Sequence, residues 1–178
     1  MERRAGFTLL EALTAMAIVA IAATIGLPAF NDTLQSVRTA TALNLLTSAL
    51  ASARSTAVLR QQALSVCPSQ DQHTCRKDLV WEDGWILFVD AQKTGQPGGD
   101  ADILHVAAPL NRNLMLRATP GRHRARFQPD GRSTGSTLTL SLCARDDHHP
   151  LGQVILNNWG RARTVRNPAK DPTCASAK

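Results

Sequence analysis

A single carboxylate lies inside an otherwise apolar segment near the start of the chain. From Phe7 to Phe30 the only ionisable residue is Glu11, and the twenty residues from Ala12 to Asn31 carry no charge. A lone carboxylate in an apolar environment is costly, by very roughly 3 kcal/mol at the centre of a bilayer, and it therefore requires a cationic partner. Glu11 is therefore a candidate functional residue that needs a positive group to neutralise it.

Four cysteines offer a second kind of chemistry. They are Cys67, Cys75, Cys143 and Cys174, and all of them follow the apolar segment. Three pairings are possible. We predict pairing in chain order, because the first disulfide would close a short polar loop and the second would hold a loose C-terminal tail. A metal site is the alternative, but the spacings are not those of zinc ligands, and the pair His148 and His149 is typical of a solvated loop.

Arginine dominates the basic residues, and its distribution is uneven. The formal net charge is +6, and only four of the 20 basic residues are Lys. Residues 111–132 hold six arginines against one acid, residues 151–170 hold four basic residues and no acid, and residues 71–102 hold seven acids against three bases. Guanidinium groups bind phosphate well, so two basic segments that meet at one end would favour a DNA backbone, with strongly salt-dependent affinity.

The second basic segment contains the candidate DNA-binding residues, which are Arg161, Arg163, Arg166 and Lys170. Arg161 and Arg163 flank one residue, so on an extended segment they point the same way, and Gly160 allows close approach of a backbone. The alternative is a solvated basic face that contacts neighbouring subunits.

The apolar segment predicts one transmembrane helix. Residues 7–30 would span about 36 Å as a helix, against a hydrocarbon core of about 30 Å. Arg3 and Arg4 precede this segment, so the N-terminus is expected in the cytoplasm and the remainder outside it, where disulfides persist. A cleaved signal peptide is the alternative, because residues 20–22 resemble a small-x-small site, but a signal peptide has no use for Glu11.

The pattern after the span predicts a helix and then strands. Pro28 should kink the helix. Small and apolar residues then recur at steps of three and four to about Arg60, as in an amphipathic helix laid against a sheet; they are Leu43, Leu46, Leu50, Ala53 and Ala57. The predicted strands are 63–67, 84–90, 102–107, 113–118, 124–128, 136–143 and 152–157. The expected class is α+β, a long N-terminal helix packed on an antiparallel β-sheet domain.

Enzymatic chemistry has little support in the sequence. The 178 residues allow one ordinary domain with an attached element, and they contain no G-x-S-x-G, H-E-x-x-H or phosphate-cradling glycine loop. We therefore predict a protein without catalytic residues, cofactor or metal. Four acids, Asp83, Asp90, Asp100 and Asp102, lack the regular spacing of a calcium loop and are expected to be solvated turn residues.

The N-terminal motif resembles the class III leader of type IV pilins and type II secretion pseudopilins. Gly6-Phe7-Thr8-Leu9-Leu10-Glu11 follows a short leader with two arginines and precedes the apolar helix. The resemblance implies that a prepilin peptidase cleaves after Gly6 and methylates Phe7. It also implies that Glu11 pairs with the N-terminal amine of a neighbouring subunit, which would neutralise the carboxylate discussed above.

Three further segments are similar to the GspH/FimT group of minor pseudopilins. They are residues 53–57, residues 81–90 with Trp81, Trp85 and Phe88, and residues 158–163. As structural residues, the three aromatic side chains are expected in the core or on a sheet face. The C-terminal Gly-Arg-x-Arg at residues 160–163 resembles the element that is implicated, within the FimT branch, in DNA capture during natural transformation.

These observations predict a minor pilin or pseudopilin subunit in four parts. Residues 1–6 are a cleaved leader, 7–30 a transmembrane assembly helix, 31–62 its amphipathic continuation and 63–178 a periplasmic β-rich domain. The expected location is the bacterial inner membrane, and the expected partners are prepilin peptidase, other pilins or pseudopilins in a filament, and double-stranded DNA. Three roles remain open: priming or capping a type IV pilus, binding DNA, or acting as the H-type pseudopilin of type II secretion without DNA.

Overall fold

The computed structural model describes residues 8–168 and 171–175, with side chains at all of these except 25–29, 31, 32 and 175. Helix α1 (Leu9–Arg60) is followed by eight strands and a short helix α2 (Pro172–Ala175). The strands are β1 (Leu64–Pro68), β2 (Trp85–Val89), β3 (Ile103–Ala107), β4 (Leu114–Ala118), β5 (Ala125–Phe127), β6 (Leu138–Ala144), β7 (Pro150–Leu156) and β8 (Ala162–Arg166). The predicted α+β class is confirmed. The chain divides into two compact units, Met1–Arg38 and Thr39–Lys178.

The first unit is helical wherever it is described, apart from Thr8, which precedes α1. The Thr8 hydroxyl oxygen accepts a hydrogen bond from the Glu11 N–H at 3.3 Å, as an N-cap residue does. The backbone is helical through Pro28, and the expected kink stays a prediction. Within the described parts of the chain, no helix is both long enough and apolar enough to cross a membrane. The predicted span, residues 7–30, begins at a residue outside the description and includes undescribed side chains.

The second unit is built around the last six turns or so of α1. One face of this part of the helix is buried, and it carries the residues that the three-and-four spacing predicted: Leu43, Leu46, Leu50, Ala53 and Ala57. These side chains share one hydrophobic core with inward-facing residues of both sheets. Small residues near the end of the face, at Ala53 and Ala57, bring the helix backbone close to the sheets.

The strands form two antiparallel four-stranded sheets. The first has the order β3-β2-β1-β5 and the second β4-β6-β7-β8. In β6, the residues Leu138, Leu140 and Leu142 are buried, as their alternation predicted. All seven predicted strands are present, with ends shifted by at most two residues. The sequence reasoning missed β8, because its alternating residues are arginine, threonine and small apolar side chains rather than large hydrophobic ones.

Candidate functional site

The β7–β8 hairpin carries the Gly-Arg-x-Arg segment, and its turn is held by one side chain. The Asn157 carboxamide oxygen accepts hydrogen bonds from the N–H groups of Trp159 and Arg161, both at 3.0 Å. The Gly160 N–H donates to the Asn157 carbonyl at 2.9 Å. Gly160 has φ +72°, which glycine adopts without strain. The turn is therefore fixed locally before any contact with the rest of the protein.

The same turn is docked on the β5–β6 loop. A Cβ atom at Gly160 would overlap the carbonyl oxygen of Gly131, so the two backbones touch. The Ser133 N–H donates to the Asn158 carbonyl at 2.9 Å. Arg54 of α1 donates its Nε–H to the Gly131 carbonyl at 3.1 Å. The backbone that Gly160 admits is thus the protein's own, and the glycine serves to position the hairpin.

The docking places two exposed side chains from different segments together. The guanidinium carbon of Arg132 lies 4.8 Å from the centroid of the Trp159 ring, within cation–π range. Trp159 is 61% exposed. This is the point where the two basic segments of the sequence meet. The Arg132–Trp159 pair was not predicted from the sequence. The only signal for it was a glycine turn in each segment, at Gly131 and at Gly160.

Arg161 and Arg163 are both exposed. Arg161 precedes β8, and Arg163 lies on the face of β8 that is turned away from α1. The opposite face is identified by Thr164, whose hydroxyl oxygen is 3.0 Å from that of Thr47 on α1. Because side chains alternate along a strand, Arg166 shares the face of Thr164. The structure therefore separates the four predicted DNA-binding residues: Arg161 and Arg163 are exposed where β8 begins, Arg166 is on the opposite face from Arg163, and Lys170 lies outside the described residues.

Two arginines of the first basic segment form internal ion pairs. Arg117 donates its Nη1–H to the carboxylate of Glu82, which is 6% exposed. Arg126 donates its Nε–H to the Asp90 carboxylate at 2.9 Å, and Asp90 is 2% exposed. The expectation that Asp90 is a solvated turn residue is therefore wrong. A buried carboxylate that lost such a partner would destabilise the fold by about 3–5 kcal/mol. These arginines stabilise the domain, so the count of positive charge in residues 111–132 overstates the charge available to a ligand.

Both predicted disulfides are present. Cys67 is bonded to Cys75 and Cys143 to Cys174, with Cα–Cα separations of 5.5 and 5.8 Å. The first packs with Ile86 and Phe88 on the face of the first sheet that is directed away from the main core. Phe88 and the other two aromatic residues of this region, Trp81 and Trp85, are buried, as expected.

The second disulfide anchors the C-terminal tail to the second sheet, and Asp171 adds to this attachment. The Asp171 carboxylate accepts hydrogen bonds from the Gln153 side-chain amide at 2.7 Å and from the Thr173 N–H at 2.9 Å. Burial alone would raise the pKa of Asp171, but the hydrogen bonds outweigh it and hold the pKa below its usual value.

The predicted processing and assembly residues lie at the start of the chain. Gly6 and Phe7 are outside the described residues. Glu11 is in the first turns of α1 and is exposed, as are the apolar side chains around it, including Leu10 and Leu13. Pairing of Glu11 with a neighbouring amine therefore stays a prediction.

Within the described residues, one group of acids and histidines has the proximity of metal ligands. It consists of Asp146, Asp147 and His149 in the exposed turn between β6 and β7. His149 Nδ1 lies 2.5 Å from the Asp147 carboxylate, and this hydrogen bond lowers the pKa of Asp147. The two acids and His149 are exposed, whereas His148 is half-buried.

An N-terminal helix whose second part packs on antiparallel sheets is the pilin class of fold. The sequence profile of the family described as Type II transport protein GspH matches residues 42–160, and that of the prokaryotic N-terminal methylation motif matches residues 1–27. The chain therefore belongs to the GspH family, and it is a minor pilin or pseudopilin of a type IV pilus or of type II secretion. No curated protein sequence matches it.

Two solved structures illustrate the shared fold. The type IV minor pilin FimU of Pseudomonas aeruginosa has 19% identity and a TM-score of 0.57, over 75% of this chain and 98% of FimU. The minor pseudopilin EpsH from the type 2 secretion system of Vibrio cholerae has 15% identity and a TM-score of 0.51, over 72% of this chain and 97% of EpsH. At these identities the likeness concerns the fold.

Proposed function

We propose that this protein is held in the bacterial inner membrane by residues 7–30 and that residues 31–178 are periplasmic. A prepilin peptidase cleaves after Gly6 and methylates Phe7. The proposal is supported by the methylation-motif match over residues 1–27, by the uncharged run that follows Glu11, and by two disulfides in the remainder of the chain.

Assembly follows from the chemistry of cleavage. The new N-terminal amine of a neighbouring pilin or pseudopilin pairs with Glu11, so that neither charge is left alone in an apolar filament core. Gly6→Ala should leave an uncleaved precursor, and Glu11→Ala should be cleaved normally but fail to enter filaments. Mass spectrometry of the N-terminus and immunoblots of sheared filaments measure the two effects. Normal maturation of the Gly6 variant would refute the cleavage site.

The same subunit binds double-stranded DNA through the hairpin surface, which we define as Arg132, Trp159, Arg161 and Arg163. The observation that supports this proposal is the exposure of Arg161 and Arg163 where the hairpin turn leads into the edge strand β8. The fixed turn limits the conformational entropy that is lost when these side chains bind phosphates.

A salt-dependent gel shift with residues 31–178 tests DNA binding. Arg161→Ala with Arg163→Ala should abolish the shift at physiological salt. At low salt, where binding can still be measured, it should reduce the slope of log K against log salt by about 1.8. Arg112→Ala with Arg166→Ala is the matched control, because it removes two exposed charges from residues outside the hairpin surface. Equal loss in both double variants, with both still folded, would show that net charge rather than this surface governs binding.

The second candidate is a type II secretion pseudopilin that acts in protein export without DNA. It is favoured by the family description and by the likeness to EpsH. A wild-type fragment that gives no shift at low salt, together with restored export when the gene complements a secretion mutant, would select this function over DNA binding.

A further inference from the structure

A cavity of about 370 Å³ lies beside the Cys67–Cys75 disulfide, and its walls carry positive charge. The lining residues include Arg76, Lys77, His123 and Arg124, and none of the lining residues is acidic. None of the four residues of the hairpin surface lines this cavity. The cavity is therefore a separate feature, formed by β1 and the loop after it, the loop after β2 and the loop between β4 and β5.

The cationic groups differ in how far their charge is already used. Arg76 donates its Nη1–H to the Asp83 carboxylate at 2.5 Å, and it is also hydrogen-bonded to Asp78. Its charge is offset by these two acids. By contrast, in the described part of the chain neither the Arg124 guanidinium nor the Lys77 ammonium group has a protein acceptor. Two cations thus face a cavity without a protein anion to pair with.

The Arg124 side chain packs against the backbone of Gly95. A Cβ atom at Gly95 would overlap the guanidinium, so the group lies directly on the glycine backbone. Gly95 has φ +77° and donates its N–H to the Asp90 carboxylate at 3.0 Å, which fixes the loop beneath the guanidinium. Any other residue at this position would push Arg124 away from the loop.

The opposite wall is also held in place. The Gln96 carboxamide accepts a hydrogen bond from the Cys75 N–H at 2.8 Å and donates one to the Cys75 carbonyl at 2.9 Å. This pair of hydrogen bonds ties the loop after β2 to the disulfide. A cavity with fixed walls loses little conformational entropy when it takes up a ligand.

We propose that this cavity binds a phosphate group. An unpaired guanidinium supplies a planar pair of N–H donors, and an ammonium group supplies a compact second charge, which together suit a tetrahedral oxyanion. The absence of carboxylates from the lining removes the main source of repulsion. Inorganic phosphate and a DNA phosphodiester present the same chemistry, so the experiment has an arm for each. The proposal does not depend on DNA binding at the hairpin surface.

The first arm is calorimetric titration of the full chain in a neutral detergent with sodium phosphate, at constant ionic strength and with chloride as the reference. We expect saturable binding that Arg124→Gln weakens about tenfold or more, since a charge-assisted hydrogen bond is lost. Lys77→Gln should weaken it as well. Arg122→Gln is the matched control, because Arg122 is exposed, lies in the same loop and is outside the lining.

The second arm measures the anisotropy of a labelled duplex with the same variants. If Arg124→Gln also weakens binding of the duplex, the phosphodiester is a ligand of the cavity. If the affinity for the duplex is unchanged and phosphate binding is lost, the cavity binds the free anion. Thermal melting confirms that each variant is folded. The proposal is overturned if phosphate binds no better than chloride, or if Arg122→Gln weakens phosphate binding as much as Arg124→Gln.

Discussion

Gly160 is the residue whose replacement should most directly release the hairpin surface. In Gly160→Ala the new methyl group overlaps the Gly131 carbonyl, which is backbone and cannot rotate away. The left-handed φ of +72° costs about 1–2 kcal/mol for alanine. Separating the turn from the loop also loses the Ser133–Asn158 hydrogen bond, about 1 kcal/mol, and weakens the bond from Arg54, which is worth about 1.5 kcal/mol. We expect a total destabilisation of about 4 kcal/mol.

Two other glycines separate the contributions to this loss. Gly121 has φ +80° but open space at its Cβ position, so Gly121→Ala should show the backbone strain alone, about 1–2 kcal/mol. Gly99 has extended backbone and open space, so Gly99→Ala should be close to neutral. Urea unfolding of all three variants and the wild type gives the free energies. If Gly160→Ala costs no more than Gly121→Ala, the turn is not docked as described.

The disulfides and the C-terminal tail give two more predictions. Replacing Cys143 and Cys174 by serine should lower the free energy of unfolding by about 3.7 kcal/mol. Replacing Cys67 and Cys75 should lower it by only about 2.5 kcal/mol, because the shorter loop restricts the unfolded chain less. Equal losses in urea unfolding would contradict this. The lowered pKa of Asp171 means that its contribution to stability is complete above the unfolded pKa of about 3.9 and is lost as the pH falls through the folded pKa. Asp171→Asn should therefore flatten the stability curve below about pH 4, and curves that stay parallel to the wild type would count against this role.

Local patterns in the sequence were sufficient for most of the fold. The three-and-four spacing of Leu43, Leu46 and Leu50 predicted the buried helix face, and the alternation in β6 predicted which leucines enter the core. These patterns succeed because burial repeats with the period of the element. The arrangement of the strands in two sheets depends on contacts between distant segments, and no local pattern encodes them.

The candidate site was less accessible to sequence reasoning. Counting charge along residues 111–132 treated every arginine as equivalent, whereas Arg117 and Arg126 are paired with buried acids. The meeting of Arg132 with Trp159 requires two loops to dock through glycines that are 29 positions apart in the chain. Only the neighbouring pair Arg161 and Arg163 could be assigned to one face in advance, because strand alternation is local.

Because β8 is at the end of its sheet, Arg163 in the strand and Arg161 just before it have a second effect. An outermost strand presents unpaired amide and carbonyl groups onto which another chain can add, and charged side chains discourage that addition. Replacing Arg161 and Arg163 by neutral residues should therefore favour addition of a strand from another molecule to β8, and it should also weaken binding of a polyanion. Light scattering should accompany every assay of such variants, and Arg161→Lys with Arg163→Lys keeps the strand guarded while it removes the bidentate geometry.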